Sequence, residues 1–386
     1  MNYKEKNQQF LASNKKKWEL FTPCFVINKK QLNSTVENIQ RLLPGEIVYS
    51  HKTNPHPFIT KTLNHHKCGF LLSSVEESEK IINDSGVDPE KLIFQSPSLT
   101  EKQYRKIKSL GISRFIIDSN DQLDLILSSF ENMARKPEIL VRINTGVTIS
   151  HSELSYSTDS YLGFPMSDSL DVFKRLNELR KNNQITLGVH NHLLSQNTFP
   201  ELWKKNVERI TEFVETLRKN GVILDIVDFG GGYPIDYGKK ITSFENIAKI
   251  ITLATKKMKI LYPDLHFIFE PGRKVVGESI TLITRVIHVK EFLKTNVAIL
   301  NCSVYNASMD TLIVDLFLPA DKITRTKKTV RKYVIRGSTP DSLDVFAKEI
   351  KLSELKPGDH IAFFHAGAYS FWSDFISLRK PTYLVI

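Results

Sequence analysis

The sequence predicts an α/β protein, an eight-stranded β/α (TIM) barrel with a C-terminal mostly-β domain, and two observations predict it. From about residue 46 to 272, short β-branched or apolar runs alternate with amphipathic helical stretches, the pattern of repeated β-α units. After about residue 276 the strand-like runs continue without long helices between them.

The barrel strands are expected at Ile47 to Ser50, Phe70 to Ser74, Leu92 to Gln95, Arg114 to Asp118, Ile139 to Asn144, Thr186 to His192, Ile223 to Phe229 and His266 to Glu270. Between them lie helical patterns. The stripe Leu202, Val207, Ile210, Phe213, Val214 and Leu217 follows the i, i+3, i+4, i+7 spacing and closes at Gly221, an expected helix stop. An open doubly wound sheet usually carries its glycine-rich turn after the first strand, whereas here the glycines follow the seventh, which favours the barrel. Further strands are expected at Ile280 to Lys290, Val297 to Ile299, Lys332 to Ile335, His360 to Phe364 and Thr382 to Ile386. The expected domains are therefore a barrel over 25–275 and a β domain over 276–386, which residues 1–24 join through the segment Phe21 to Val26.

Composition excludes several classes. With 386 residues, 41% hydrophobic and 25% charged, the chain has room for a sizeable core and is neither fibrous nor disordered. Its 53 Lys and Arg against 42 Asp and Glu give a net charge of +11. The basic residues are spread along the chain, and the clusters Lys15 to Lys17 and Arg325 to Lys332 are short and lack interleaved aromatics, so nucleic acid is not an expected partner. Cys24, Cys68 and Cys302 are too few and too scattered for a disulfide frame or a zinc knuckle and read as small apolar core residues. His51, His65 and His66 have no fourth ligand in sequence, so no metal is expected and they read as solvated loop histidines. The first residues lack the apolar core of a signal peptide, and no apolar run approaches the ~18 residues of a membrane span. A cytoplasmic protein, away from membranes, is the expectation.

In a barrel the functional residues sit at the C-terminal ends of the strands, where the βα loops form the open face. Lys52 ends the first strand, Arg142 lies in the fifth, His192 ends the sixth, Gly230, Gly231 and Gly232 follow the seventh, and Glu270-Pro271-Gly272-Arg273 end the eighth. A lysine approached by buried Ile47 and Val48 is expected to be desolvated. It is then available as a free amine, which a Schiff base with an aldehyde requires. The glycines let backbone N–H groups approach a phosphate, and Arg273 adds a planar donor beside them. A lysine at one wall and a phosphate cradle at the other imply a phosphorylated aldehyde cofactor.

These residues carry a resemblance. The segments Tyr49 to Pro55, Gly188-Val189-His190-Asn191-His192, Asp228 to Pro234, Glu270 to Arg273, Asp341-Ser342-Leu343-Asp344 and Gly367-Ala368-Tyr369, in this order from about Thr22 to the C-terminus, resemble fold type III pyridoxal-phosphate-dependent decarboxylases. That is the ornithine and diaminopimelate decarboxylase group, which shares its barrel with alanine racemase. The resemblance implies pyridoxal 5'-phosphate held covalently by Lys52, with His192 stacked on its ring and Glu270 paired with its ring nitrogen. It implies that Gly230, Gly231, Gly232, Ser195, Arg273 and Tyr369 hold the phosphate and that Arg142 supports the ring. It also implies a homodimer with shared active sites, Asp341 reaching the site from the partner chain.

The sequence departs from the family pattern in places that bear on chemistry. Pro340 stands where the family has a cysteine that returns a proton to the substrate carbon, so water or another side chain must supply that proton. Val314 stands where diaminopimelate decarboxylases carry an arginine, which disfavours diaminopimelate. Asp315 and Asp341 instead align with the acids that face the distal ammonium of ornithine or lysine. Leu71 replaces an acid, Leu194 a glycine and Tyr161 a basic residue. The expected activity is removal of the α-carboxylate from an ornithine-like or lysine-like amino acid. Rival readings are a siderophore-pathway decarboxylase of a citryl-diamine conjugate, a carboxynorspermidine-type decarboxylase of polyamine synthesis, and a non-catalytic regulatory homologue.

Overall fold

The structure, a computed structural model, describes residues 3–128, 135–147, 161–239, 241–323, 329–370 and 378–386. The chain forms two compact units: Thr35–Pro234 with Ile241–Lys274, and Met1–Ser34 with Ile235–Lys240 and Val275–Ile386. The strands in chain order are β1 (Cys24–Ile27), β2 (Glu46–Ser50), β3 (Gly69–Leu72), β4 (Leu92–Phe94), β5 (Arg114–Ile117), β6 (Glu138–Asn144), β7 (Phe164–Pro165), β8 (Thr186–His190), β9 (Ile226–Asp228), β10 (His266–Phe269), β11 (Ile280–Phe292), β12 (Thr295–Leu300), β13 (Ala320–Lys322), β14 (Val330–Arg336), β15 (Val345–Ser353), β16 (His360–Phe363) and β17 (Thr382–Val385).

In the first of these units, β2, β3, β4, β5, β6, β8, β9 and β10 pair in parallel in that order and β10 returns to β2, closing the expected barrel. The two-residue β7 adds only a short pairing on β6. Seven strands each send one apolar side chain to a common interior layer: Val48, Leu71, Ile93, Ile116, Leu140, Ile226 and Ile268. Burial of each contributes about 1.5–3 kcal/mol. The eighth strand contributes Gly188, where a Cβ would lie 3.0 Å from Ile226 Cβ and 3.2 Å from Leu140 Cγ. The layer is full with seven side chains, and Leu71 belongs to it, which is why an apolar residue suits that position.

The helices begin where the sequence offers side-chain caps. Ser74, Thr100, Ser119 and Ser243 each accept a hydrogen bond from the N–H three residues on, and Thr100 with Gln103 forms a full capping box. The predicted apolar stripe lies buried on the helix Pro200–Lys219, and Gly221 follows it with a left-handed φ of 75°. At the N-terminal rim, Arg114 forks onto both oxygens of Glu46 at 2.8 Å and reaches Glu138 at 2.8 Å, closing that end with a charge network.

Most strand ends differ from expectation by one or two residues, and two of the differences have a visible cause. β8 stops at His190 rather than His192, because the chain there crosses Gly230 so closely that a Cβ would lie 2.4 Å from Asn191 O. β9 starts at Ile226 rather than Ile223, because the Ile223 N–H is taken by Asn177 Oδ1 at 3.0 Å instead of a neighbouring strand.

In the second unit the sheet runs β13-β16-β11-β12-β14-β15, with β1 on β11 and β17 on β1. The barrel boundary expected at residue 25 therefore falls inside β1, which pairs antiparallel with β11 and parallel with β17 and belongs to the β unit. Leu11 and Trp18 pack with Cys24, Val26, Ile283, Ala362 and Phe364, so the N-terminal segment covers one face of this sheet. All three cysteines are buried free thiols, and burial pushes Cys24 and Cys68 up to about 12, which leaves them unreactive.

Candidate active site

The polar residues at the C-terminal ends of the barrel strands are held by contacts that reach back into the strands. Lys52 lies in a single 3₁₀ turn, His51–Thr53, directly after β2. That turn is pinned on every side. Tyr49 hydroxyl donates to Asn54 O at 3.2 Å, and Ser50 hydroxyl to Glu270 O at 3.1 Å. His51 is buried with Nδ1 2.7 Å from Glu77 Oε1 and Nε2 3.2 Å from Thr60 Oγ1. The expectation that His51 is a solvated loop histidine is thus overturned: both ring nitrogens are used inside the fold to brace the turn that presents Lys52. The expected burial of Lys52 is also corrected. Its side chain is exposed in the single chain, because the 3₁₀ turn carries it out of the apolar strand onto the open face.

His192 stands two residues beyond β8, and its ring is oriented by the Gly231 N–H, which donates to Nδ1 at 3.1 Å. Burial, then Arg142, His190 and Lys52, push its pKa down, so the ring is neutral with its hydrogen on Nε2. Arg142 on β6 is opposite His190 on β8, and burial lowers its pKa against the opposing pull of Asp118 and Glu270. Glu270 follows β10. Its N–H donates to Gly230 O at 2.9 Å, and its carboxyl is buried, with burial raising its pKa to about 7. Lys52 and Arg142 act on that carboxyl electrostatically.

The glycine run has a packing reason beyond backbone access. A Cβ at Gly231 would lie 2.6 Å from Glu270 O, and one at Gly232, whose φ is 97°, would lie 2.1 Å from Leu194 O. Two of its N–H groups are already used, Gly230 by Asp228 Oδ1 at 2.8 Å and Gly231 by His192. Gly232 N–H makes no hydrogen bond to a described residue and is the one left to offer an anion. Arg273 opens the short helix Arg273–Val276 and is buried, and Ser195 is exposed on the loop after His192. Leu194, the departure from a family glycine, is buried with Val147 and Leu202. Tyr161 is almost fully exposed.

The remaining candidates lie in the β unit. Tyr369 sits in the turn after β16 with a φ of 52°, and the Met309 N–H donates to its carbonyl at 3.3 Å. Asp341 is anchored by the Tyr305 hydroxyl on Oδ2 at 2.8 Å and the Leu343 N–H on Oδ1 at 2.9 Å, which hold its carboxyl below the usual range. Asp315 caps the helix Met309–Val314 and is exposed, its charge already met by Lys348 at 2.9 Å. The barrel thus brings together Lys52, Arg142, His192, Gly230 to Gly232, Glu270 and Arg273 at the ends of its strands.

Comparison with known proteins decides the family. The profile described as "Pyridoxal-dependent decarboxylase, pyridoxal binding domain" matches residues 29–277. The chain belongs to the pyridoxal-dependent decarboxylases. Its relatives include a diaminopimelate decarboxylase of Zymomonas mobilis, 25% identical over 360 residues, spanning 90% of this chain and 83% of the relative. Another is a lysine/ornithine decarboxylase of Selenomonas ruminantium, 23% identical over 350 residues, spanning 90% and 85%. Among solved structures, lysine/ornithine decarboxylase of Vibrio vulnificus complexed with putrescine superposes with a TM-score of 0.83 at 22% identity, covering 98% of each chain. Diaminopimelate decarboxylase of Helicobacter pylori complexed with L-lysine superposes at 0.83 with 23% identity, covering 95% of this chain and 91% of that one.

The cofactor of this pyridoxal-dependent decarboxylase is pyridoxal 5'-phosphate, and the barrel residues fit it. Glu270 Oε1 is a buried acceptor to which no described N–H donates, which suits a protonated ring nitrogen. The neutral, fixed His192 ring suits stacking, and Gly232 N–H with Arg273 suits a phosphate.

Besides misreading His51, sequence reasoning passes over several residues that build this site: Thr60 and Glu77 behind Lys52, and Asn191, Asn206 and Thr145 behind His192. Asn191 Nδ2 donates to Ile143 O at 3.0 Å, Asn206 Nδ2 to Asn191 Oδ1 at 2.7 Å, and Thr145 hydroxyl to Asn206 Oδ1 at 2.7 Å. Asn206 was detectable as a polar residue on the apolar face of its helix, one position before Val207.

Proposed function

We propose that the protein removes the α-carboxylate of lysine, ornithine or a close dibasic analogue, releasing carbon dioxide and the diamine. The observation that carries the reading is the convergence of an exposed lysine, a neutral histidine and a buried carboxyl on one barrel face in a chain of this family. When bound, pyridoxal phosphate supplies an electron sink for the electron pair left on the α-carbon as carbon dioxide departs.

In this reading the chain's residues divide the work. Lys52 would supply the amine that holds the cofactor. Glu270 holds the proton on the ring nitrogen from its buried position, where a charge pair is little screened. His192 excludes water from one ring face and, being neutral, adds no competing charge. Gly232 N–H and Arg273 hold the phosphate, with Ser195 and Tyr369 completing it, while Arg142 steadies the ring. The proton that replaces the carboxylate cannot come from Pro340 and is drawn from water or another side chain.

Substrate choice rests on the β unit. Val314 offers no counter-charge to a second carboxylate, whereas Asp341, whose carboxyl is fixed by Tyr305 and Leu343, would supply one to an ammonium. Asp315 is the weaker of the two, since Lys348 already neutralises it. The named relatives favour a free dibasic amino acid over a citryl conjugate or carboxynorspermidine. The active enzyme in this reading is a homodimer in which Asp341 serves the partner's site. Mixing inactive Lys52→Ala and Asp341→Ala chains should then restore part of the activity, and a monomeric mass with no restoration would refute the shared site.

Carbon dioxide release from lysine, ornithine and meso-diaminopimelate tests the proposal. Turnover of lysine or ornithine with little or none of diaminopimelate is expected. Preference for diaminopimelate would overturn the substrate assignment, and no release from any dibasic acid by the cofactor-loaded protein would overturn the activity.

A further inference from the structure

We infer that His190 is a positioning residue that, acting through Glu270, fixes which carboxyl oxygen is presented to the cofactor's ring nitrogen. The inference rests on the reading of Glu270 given above.

His190, Asp228 and Glu270 end or follow three adjacent strands, β8, β9 and β10, and all three side chains are buried, at 0%, 0% and 2% exposure. The register sets them side by side: His190 is opposite Asp228, and Asp228 is opposite Ile268, two residues before Glu270. One donor or acceptor atom from each lies within 4.8 Å of the others. Along β8 the side chains alternate in direction, so His190 shares the inward side with Gly188, while Asn191, the first residue past the strand, accepts from Asn206 at 2.7 Å.

A buried carboxyl is costly to leave without partners, and its two oxygens are interchangeable by rotation unless something tells them apart. Here His190 Nε2 lies 3.4 Å from Glu270 Oε2, a long contact that nevertheless marks that oxygen. Asp228 spends Oδ1 on the Gly230 N–H at 2.8 Å, and burial, with the neighbouring Glu270 charge, holds its own carboxyl in the protonated form, so that it can share a hydrogen with the Glu270 carboxyl. No described N–H donates to Glu270 Oε1. Burial lowers the His190 pKa to about 4, so the ring is neutral, and a neutral ring donating from Nε2 leaves Nδ1 bare, as observed. The ring therefore supplies one directed donor and no competing positive charge beside the place where the ring nitrogen's own charge must sit.

A core histidine that merely fills space would behave differently from one that acts through Glu270, and cofactor affinity separates the two. The measurement is a fluorescence titration of pyridoxal phosphate onto the stripped full-length protein, with the visible absorbance recorded against pH. His190→Leu is expected to weaken binding roughly tenfold to a hundredfold, the range for losing one hydrogen bond to a charged group. His190→Gln, whose amide N–H reaches about as far as Nε2, should recover most of it. In a Glu270→Gln background, His190→Leu should add nothing further, because the residue it acts through has been neutralised. Wild-type affinity and an unchanged spectrum in His190→Leu would overturn the inference, as would an equal loss in both backgrounds. If Glu270→Gln alone leaves affinity unchanged, the reading of Glu270 fails first and His190 falls with it.

Discussion

Glu270 is the residue at which burial and charge compete most directly. Burial raises its carboxyl from the ordinary 4.5 to about 7, while a hydrogen bond with Asp228 and then the charges of Arg142 and Lys52 pull the other way. Below about pH 4.5 the folded and unfolded chains both carry the proton. Between about 4.5 and 7 only the unfolded chain gives it up, so folded stability declines as the pH rises through that window. The cofactor-free protein is therefore expected to lose stability from pH 5 to pH 8, and Glu270→Gln, which cannot ionise, to lose less. Urea unfolding midpoints at the two pH values check this, and equal losses in the two proteins would contradict it. Glu270 itself was legible in the sequence because an acid ending a buried strand is conspicuous. His51 was not, because nothing in a run of His, Lys and Thr says which side chain turns inward; its partners Thr60 and Glu77 come from the next two helices, Pro57–His65 and Val75–Ser85.

At the level of elements, the barrel strands were legible because most are buried on both faces over a short apolar run bounded by turns and helices, as in Gly69–Leu72 and Leu92–Phe94. β15 was not. Its exposed residues Lys348 and Glu349 break the pattern, as suits a strand at the edge of the sheet. β13, only three residues long, is too short to show any period. The barrel's interior layer gives a test of packing. Gly188→Val places a branched side chain where even a Cβ meets Ile226 and Leu140 at 3.0 to 3.2 Å, so a loss of about 1–3 kcal/mol is expected from urea unfolding. A variant as stable as the wild type would mean that the layer has room for an eighth side chain.

At the level of the whole molecule, the chemistry follows from where the barrel places its exceptions. Seven apolar side chains and a glycine fill the interior, a forked arginine closes the N-terminal rim, and the polar residues stand where the strands end. Among the described residues no helix is long and apolar enough to cross a membrane. The order of motifs along the chain made this arrangement readable, while the brace behind Lys52 and the buried trio of His190, Asp228 and Glu270 emerged only when separate elements were brought together. The central claim is that Lys52 carries pyridoxal phosphate covalently. It is tested most directly by the visible absorbance of the purified protein, supplied with the cofactor, beside Lys52→Ala. A visible band in the wild type that is lost or shifted in the variant is the predicted result; the same spectrum in both would contradict it.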